Sequence, residues 1–298
     1  MLRIILFLAT NLAIMLVLSA VVTIFGLDRW AYSHSGMHLQ GMLLMCAVFG
    51  MGGAFISLAM SKWLAKMSVG AQVITEPRGE AEVWLLNTVR QHAQNAGIGM
   101  PEVALYEAPE MNAFATGMSK NHALVAVSTG LLRSMNREQI SAVLGHEITH
   151  VANGDMVTLA LVQGVLNTFV MFLARVIGGI IDSALAGDRN NERSGGGIGY
   201  FVIVMLLQFV FGILATVVVM WFSRWREFRA DAGGAKLGGR GAMISALQAL
   251  GGAQANAEAQ LPKAFQAFGI SSQGGMARLF MSHPPIEERI AALRNATE

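Results

Sequence analysis

Residues 136–154 read NREQISAVLGHEITHVANG, and this stretch carries the clearest structural signal in the chain. Asn136, followed three residues later by Gln139, is typical of a capping box at the start of a helix. Asn153-Gly154 supplies a helix stop. Apolar residues recur between these ends at helical spacing, namely Ile140, Val143, Leu144, Ile148 and Val151. The pattern predicts one helix of about four turns.

This helix contains the motif H-E-x-x-H as His146, Glu147 and His150. Residues four apart project from one helix face, so both imidazoles can bind the same zinc ion. Glu147 can reach a water molecule on the open side of the metal and take its proton. The alternative is a polar helix face whose two histidines bind nothing. The motif predicts metal-assisted hydrolysis of an amide bond.

The composition indicates a membrane protein. Of the 298 residues, 54% are hydrophobic and 13% are charged, whereas soluble domains average about 45–50% and about 25%. Such a chain is too apolar to be disordered. Its one cysteine, Cys46, excludes a disulfide scaffold, and a net charge of +2 gives no argument for nucleic acid.

Four apolar runs are long enough to cross a bilayer, which takes about 20 residues. They are Ile4–Gly26, Met37–Met60, Met156–Ile181 and Ile198–Phe222. We interpret the first as an uncleaved anchor rather than a signal peptide, because a second run follows ten residues later. The third contains Gln163, Asn167 and Arg175, and its alternative is a helix buried in protein.

The runs divide the chain into four parts. We expect a membrane hairpin at 1–60 (helices 4–26 and 37–60), a protease block at 61–155 with the motif helix, a second hairpin at 156–222 (helices 156–181 and 198–222), and a further block at 223–298. Basic residues concentrate beside the two polar blocks, at Lys62, Lys66, Arg224, Arg226 and Arg229. This bias predicts that both blocks and both termini are cytoplasmic.

A catalytic zinc site needs a third protein ligand. Glu227 and Asp231 lie four residues apart just after the fourth run, so they share a helix face. Glu227 can bind zinc, and Asp231 can accept the outer N–H of a ligating histidine. A membrane hairpin formed by the third and fourth runs would place Glu227 on the same side of the membrane as His150. The alternative is that both acids pair with the neighbouring arginines on a solvated face.

Three motifs, GHEITHVANGD at 145–155, EFRAD at 227–231 and SHPP at 282–285, surround the second hairpin. Over essentially the whole chain they resemble the HtpX family, membrane-bound zinc metalloproteases of bacteria related to the CAAX prenyl protease 1 family. The resemblance implies that His146, His150 and Glu227 bind zinc and that Glu147 is the catalytic base. It also implies an inner-membrane protease with a cytoplasmic active site, acting in stress response and in quality control of damaged membrane proteins.

Segments outside these motifs carry weaker predictions. Met111–Phe114 and the alternating run Ala123–Val127 predict a β-hairpin. Its strand at Asn112, Ala113 and Phe114 resembles an edge strand that holds the substrate backbone, and the alternative is a purely structural hairpin. We expect His92 to be solvated on a polar helix, Glu80–Ala96. Residues 251–260, which lack large apolar side chains, predict a flexible loop.

Two further polar residues keep two interpretations each. His283 either donates a hydrogen bond to the oxyanion of the tetrahedral intermediate or only caps the helix predicted from Ile286 to Arg294. Asp155 either orients the motif or caps the next helix.

Together these features predict a mainly α protein with a small β element. It is an integral membrane protein with four transmembrane helices and a cytoplasmic zincin-type (gluzincin) protease domain, holding one zinc ion per chain. We expect protein substrates, contact with the lipid bilayer and no nucleic acid. The alternatives are a prenyl-type protease with a narrow C-terminal motif substrate and a non-catalytic membrane scaffold.

Overall fold

Helices dominate the fold. The computed structural model of the protein describes residues 24, 26, 38–186, 197–259, 279 and 281–296. The helices are α1 (Leu39–Val69), α2 (Glu80–Asn95), α3 (Thr129–Ser134), α4 (Arg137–Asn153), α5 (Asp155–Ala186), α6 (Ile198–Gly238), α7 (Arg240–Ala259) and α8 (Ile286–Asn295). The strands are β1 (Gln72–Val73), β2 (Glu102–Tyr106), β3 (Ala113–Gly117) and β4 (Ala123–Ser128). A mainly α protein with a small β element is confirmed.

Three helices of the described residues are long and apolar enough to cross a membrane, namely α1, α5 and α6. They contain the second, third and fourth predicted runs, apart from Met37 and His38 at the start of the second. The first predicted span, Ile4–Gly26, lies almost wholly outside the described residues. Helix α6 has 41 residues and continues well beyond Phe222, where its apolar run ends.

Contacts divide the chain into two units. One comprises Met1–Ser57 and Ala160–Val219, and the other comprises Leu58–Leu159 and Met220–Glu298. In the first unit, α1 and α5 pack closely at two glycines. A side chain at Gly50 would lie 2.7 Å from the backbone nitrogen of Thr168, and one at Gly164 would lie 2.9 Å from the sulfur of Met51. Glycine therefore lets these two helices approach each other.

The second unit contains a four-stranded sheet in the order β1-β2-β4-β3. β3 and β4 are antiparallel, with Phe114 opposite Ala126, so the predicted hairpin is confirmed. β2 runs parallel to β4, with Val103 opposite Val125. Every residue of β4 is buried, which suits its central position. β3 therefore forms one edge of the sheet.

Helix α4 packs its apolar face against this sheet. Val143, Leu144 and Ile148 belong to one core with Val125 and Val127 of β4. The predicted ends of the helix are confirmed. The side chain of Asn136 accepts a hydrogen bond from the backbone N–H of Gln139 (2.9 Å) and the Gln139 side chain accepts one from the backbone of Asn136 (3.0 Å). Gly154 ends the helix at φ 66°, in the left-handed region.

Two sequence predictions in this unit are wrong. His92 is buried rather than solvated, and its Nε2 lies 3.0 Å from both the carbonyl oxygen and the hydroxyl of Ser141 on α4. The polar pattern of α2 does not predict the burial of His92, because its partner Ser141 lies 49 residues away in the sequence. Residues 251–259 are the end of helix α7 rather than a loop, and Gly251 lies against Ile286 of α8.

Candidate metal centre

Three side chains of the second unit converge with one donor atom each. Nε2 of His146 and Nε2 of His150 are 3.1 Å apart. Glu227 places Oε1 3.3 Å from the His150 nitrogen and Oε2 3.5 Å from the His146 nitrogen. All three residues are buried. Donor atoms about 2.0–2.1 Å from a tetrahedral zinc ion are about 3.3–3.4 Å from one another. Two imidazoles and one carboxylate at these separations fit a zinc ion.

The histidines and Glu227 meet because α4 and α6 approach closely. A side chain at Gly238 of α6 would lie 2.6 Å from the Cα of Ala142, and one at Gly234 would lie 3.1 Å from the backbone nitrogen of His146. Gly233 similarly leaves room for the side chain of Thr149. Glycines on one helix let the backbone of the other come near, so the ligands project into a common space.

The outer nitrogen of each histidine faces a carboxylate. Nδ1 of His150 is hydrogen-bonded to Oδ2 of Asp155 at 2.7 Å. Nδ1 of His146 lies 3.0 Å from Oδ1 of Asp231. An acceptor on Nδ1 leaves Nε2 free to bind a metal. Of the two interpretations of Asp155, the structure thus favours orientation of the motif.

Helix α8 contributes a residue that sequence reasoning missed. Arg289 is 7% exposed and makes two hydrogen bonds to Asp231, from Nε to Oδ2 (2.8 Å) and from Nη2 to Oδ1 (2.6 Å). Its Nη2 also lies 3.5 Å from Oε2 of Glu227. One signal was available, because Arg289 falls on the same helical face as Ile286 and Leu293. A charged residue at a core position of a helix indicates a buried ionic partner.

Glu227 and Asp231 are buried, at 3% and 1% exposed, so the alternative of a solvated ion-pair face is wrong. Arg224 donates to the carbonyl oxygens of Leu279 (3.3 Å) and Met281 (2.9 Å). Arg226 is buried and donates to the carbonyl oxygen of Asp155 (3.1 Å). Glu227 and Asp231 instead contact histidines and Arg289.

His283 lies beside the third donor. Its Nδ1 is 2.7 Å from Oε2 of Glu227, and 61% of its side chain is exposed. Helix α8 begins at Ile286, and the residue before it, Pro285, has no side-chain capping bond. His283 therefore contacts the centre directly while keeping an exposed face.

The carboxylates make the centre favourable for positive charge. Burial alone would lower the pKa of His150, but its hydrogen bonds to the carboxylates of Asp155 and Glu227 outweigh burial and raise that pKa to about 10. For His146, burial also acts downward, and Asp231 and Glu227 raise its pKa on balance. A pocket that stabilises protons on two buried histidines is equally suited to a cation.

Glu147 differs from the other acids of the centre. It is half-buried, and it makes no hydrogen bond or ion pair with any residue in the described part of the chain. Glu227, Asp231 and Asp155 all have partners.

The residues predicted to form the substrate-binding strand lie elsewhere in this unit. Ala113 and Phe114 belong to β3, and Asn112 immediately precedes it.

Comparisons with known proteins agree with this centre. The profile of peptidase family M48 matches residues 80–297. Protease HtpX of Stenotrophomonas maltophilia is 60% identical over 296 residues, covering 99% of this chain and 98% of that protein. Protease HtpX of Xanthomonas euvesicatoria is 59% identical over 297 residues, with the same coverage.

A solved structure shares the fold. Ste24p of S. mikatae matches with a TM-score of 0.62 at 19% identity, covering 97% of this chain and 67% of that one. The comparisons favour a membrane metalloprotease over the prenyl-type protease and the non-catalytic scaffold. A family profile over most of the chain, relatives of nearly equal length and three convergent donors lead to one assignment. The chain belongs to peptidase family M48.

Proposed function

We propose that the protein is a zinc-dependent endopeptidase of the bacterial inner membrane that cuts misfolded or damaged membrane proteins. The observation that carries the chemistry is the convergence of His146, His150 and Glu227 beside Glu147, which has no partner among the described residues. The similarity to Protease HtpX of two bacteria supports the bacterial membrane setting. The substrate class and the cytoplasmic side of the active site come from the family resemblance and from the distribution of basic residues.

His146, His150 and Glu227 would hold one zinc ion per chain. Zinc at this position would polarise the substrate carbonyl and acidify the attacking water. Asp231 and Asp155 hold the imidazole rings by their Nδ1 atoms and keep both Nε2 atoms directed at the ion. Arg289 fixes the carboxylate of Asp231 in turn.

Glu147 would act as the general base. Its carboxylate accepts the proton of the attacking water and then passes that proton to the leaving amine. The residue is suited to this task because no described side chain occupies its oxygens. We therefore assign catalysis to Glu147 and metal binding to its two neighbouring histidines and to Glu227.

The free edge of β3 would bind the substrate backbone. Asn112 accepts a hydrogen bond from the backbone of Ser128 (2.9 Å), so its backbone faces β4. In an antiparallel pair this direction alternates, and Ala113 and Ala115 therefore present their N–H and C=O groups to the open edge. An extended peptide can pair there as an additional strand. The same strand packs against the core that contains α4.

His283 would donate to the oxyanion. With both ring nitrogens protonated, Nδ1–H donates to Glu227 and Nε2–H is the donor on the exposed side of the ring. A donor aimed at the developing negative charge lowers the barrier to tetrahedral addition. We favour this role over a helix cap because the N-cap position of α8 is occupied by Pro285 and not by His283.

Substitution of Glu147 tests the chemistry. Detergent-purified wild type, Glu147→Gln and the control Glu138→Gln, an exposed acid of the same helix, are compared for zinc per chain and for cleavage of casein. We expect one zinc ion in all three proteins and cleavage by wild type and Glu138→Gln alone. Full cleavage by Glu147→Gln would reject the base, and absence of zinc from wild type would reject the metal site.

Thiol labelling tests the orientation. In a Cys46→Ala background, single cysteines are placed at Lys236, in the block after the second hairpin, and at Asn190, between the third and fourth runs. We expect an impermeant maleimide to label Asn190→Cys in spheroplasts and Lys236→Cys only after lysis. The reverse pattern would place the site on the other side of the membrane.

A further inference from the structure

One exposed face of α6 ends in Trp221, Trp225 and Arg229, which follow one another at intervals of four residues. Trp221 is 63% exposed and Trp225 is 51% exposed. Arg229 is exposed, and its guanidinium carbon lies 5.0 Å from the centre of the Trp225 ring, a cation–π distance. We refer to these three residues as the tryptophan–arginine stripe.

Arg229 is chemically unlike the two arginines before it. Arg224 and Arg226 both donate to backbone carbonyl oxygens. Arg229 makes no hydrogen bond or ion pair with any residue that the structure describes, and its stacking partner, Trp225, is uncharged. Its positive charge is therefore held in a defined place by an aromatic ring, and no acid in the described part of the chain neutralises it.

The stripe continues an exposed apolar face of α6. On the same helix, Leu214 is 59% exposed and Val218 is 46% exposed, and they lead along one face to Trp221. This part of α6 belongs to the run that is apolar enough to span a bilayer. Tryptophan concentrates at the boundary between hydrocarbon and headgroups, and arginine next to it reaches the headgroup phosphates.

We propose that the tryptophan–arginine stripe binds the headgroup of an anionic phospholipid. The planar guanidinium of Arg229 matches a phosphate group with two parallel N–H donors. In the bound state the ring of Trp225 stacks on the guanidinium of Arg229, and Trp221 contacts the glycerol and the upper part of the acyl chains of the lipid. Charge complementarity and continuity with the apolar run together favour this occupant over a protein partner.

The stripe has a defined relation to the metal centre. Glu227 and Asp231 each follow a stripe residue by two positions, which on a helix is about 200° of rotation. They are buried, whereas Trp225 and Arg229 are exposed. A lipid bound on the outer face therefore acts on the same two turns that carry the third metal ligand. We expect a bound anionic lipid to limit rotation of these turns.

Lipid binding to the full-length protein tests the proposal directly. Native mass spectrometry in a neutral detergent compares binding of phosphatidylglycerol with that of phosphatidylcholine. The proteins are wild type, Arg229→Gln and the control Arg90→Gln, an exposed arginine of α2 bonded to Asn87. We expect wild type and Arg90→Gln to prefer phosphatidylglycerol by about five-fold and Arg229→Gln to lose that preference.

Trp225 gives a second measurement that does not depend on activity. In proteoliposomes, brominated phosphatidylglycerol should quench tryptophan fluorescence more than brominated phosphatidylcholine, and Arg229→Gln should remove the difference. Trp225→Phe should keep part of the lipid preference and Trp225→Leu should lose it, because only the former retains a ring beneath the guanidinium. The far-UV circular dichroism spectrum and the elution volume of each variant verify that it has folded.

Two outcomes would overturn the proposal. Equal binding of the two lipids by wild type would reduce the stripe to a general interfacial belt. An equal loss of preference in Arg90→Gln and Arg229→Gln would attribute the effect to net charge. Neither outcome bears on the metal centre, which is tested separately through Glu147.

Discussion

Arg289 and Asp231 form a buried two-point ion pair, in which Nε and Nη2 of the guanidinium donate to the two carboxylate oxygens at 2.8 and 2.6 Å. The exposed fractions are 7% for Arg289 and 1% for Asp231. Asp231 in turn lies against Nδ1 of His146. Helix α8 is thus connected through one carboxylate to His146 of α4, a proposed metal ligand.

We predict that Arg289→Lys weakens zinc binding by about 10- to 100-fold, the usual effect of disturbing an outer partner of a metal ligand. Lysine keeps the charge but loses the forked geometry that holds both oxygens of Asp231. Competition with a chromophoric chelator measures the affinity. Arg294→Lys, on the exposed face of the same helix, serves as the control and should bind zinc as wild type does. Wild-type zinc affinity in Arg289→Lys would show that Asp231 keeps its position without the two parallel N–H donors of a guanidinium.

The kinetics of His283 variants distinguish a role in stabilising the oxyanion from a purely structural role. If its Nε2 stabilises the oxyanion, His283→Ala lowers kcat by about 10²- to 10³-fold with zinc retained. His283→Gln, which keeps an N–H donor, should recover part of that loss. Steady-state cleavage of a fluorogenic peptide gives kcat and KM. An unchanged kcat in His283→Ala would leave only a structural role for this residue.

His92 predicts a pH dependence of stability. Burial lowers its pKa in the folded state, and the hydrogen bond with Ser141 offsets only part of this. The unfolded chain, with a histidine pKa of about 6.5, binds a proton that the folded protein excludes. This contribution to stability is therefore complete above about pH 6.5 and is lost as the pH falls below it.

His92→Gln should consequently show a smaller decrease in Tm between pH 7.5 and pH 5.5 than wild type does. His122→Gln, at an exposed position between β3 and β4, should retain the wild-type decrease. Scanning fluorimetry at fixed zinc concentration makes the comparison. Identical pH profiles for wild type and His92→Gln would show that folding does not change the pKa of His92.

Gly238 tests the close approach of α4 and α6. A methyl group at this position would lie 2.6 Å from Cα and 2.8 Å from the backbone nitrogen of Ala142, and neither atom can yield without moving α4. We expect Gly238→Ala to cost about 1–3 kcal/mol of stability and to reduce zinc occupancy. Gly241→Ala has open space around its methyl group and should leave both values unchanged or raise the Tm slightly. Thermal unfolding and metal analysis report the two effects, and equal behaviour of the variants would contradict the packing argument.

Local patterns explain why the motif helix could be predicted from the sequence. Its capping box, apolar spacing and glycine stop all act within a few residues of one another, and each is present in the structure. Hydropathy predicts that Glu227 and His150 lie on the same side of the membrane, because two successive membrane-spanning runs between them return the chain to that side. Both inferences used information that is contained within one segment or one hairpin.

Long-range pairings could not be predicted in this way. Arg289 meets Asp231 across 58 residues, and His92 meets Ser141 across 49. The parallel pairing of β2 with β4 likewise depends on strands joined through the intervening β3. In each case the local pattern, a charged residue on a helix or a short apolar strand, suits several partners, and only tertiary packing selects one.

The order of the ligands along the chain has a consequence for biosynthesis. Glu227 follows His150 by 77 residues, and Arg289 follows it by 139. At about 5–20 residues per second, a ribosome needs roughly 4 to 15 s to proceed from the motif helix to the third ligand. With the proposed ligands, a nascent chain that already displays H-E-x-x-H lacks a complete metal site, and we expect the enzyme to be inert until the start of its last block has been synthesised.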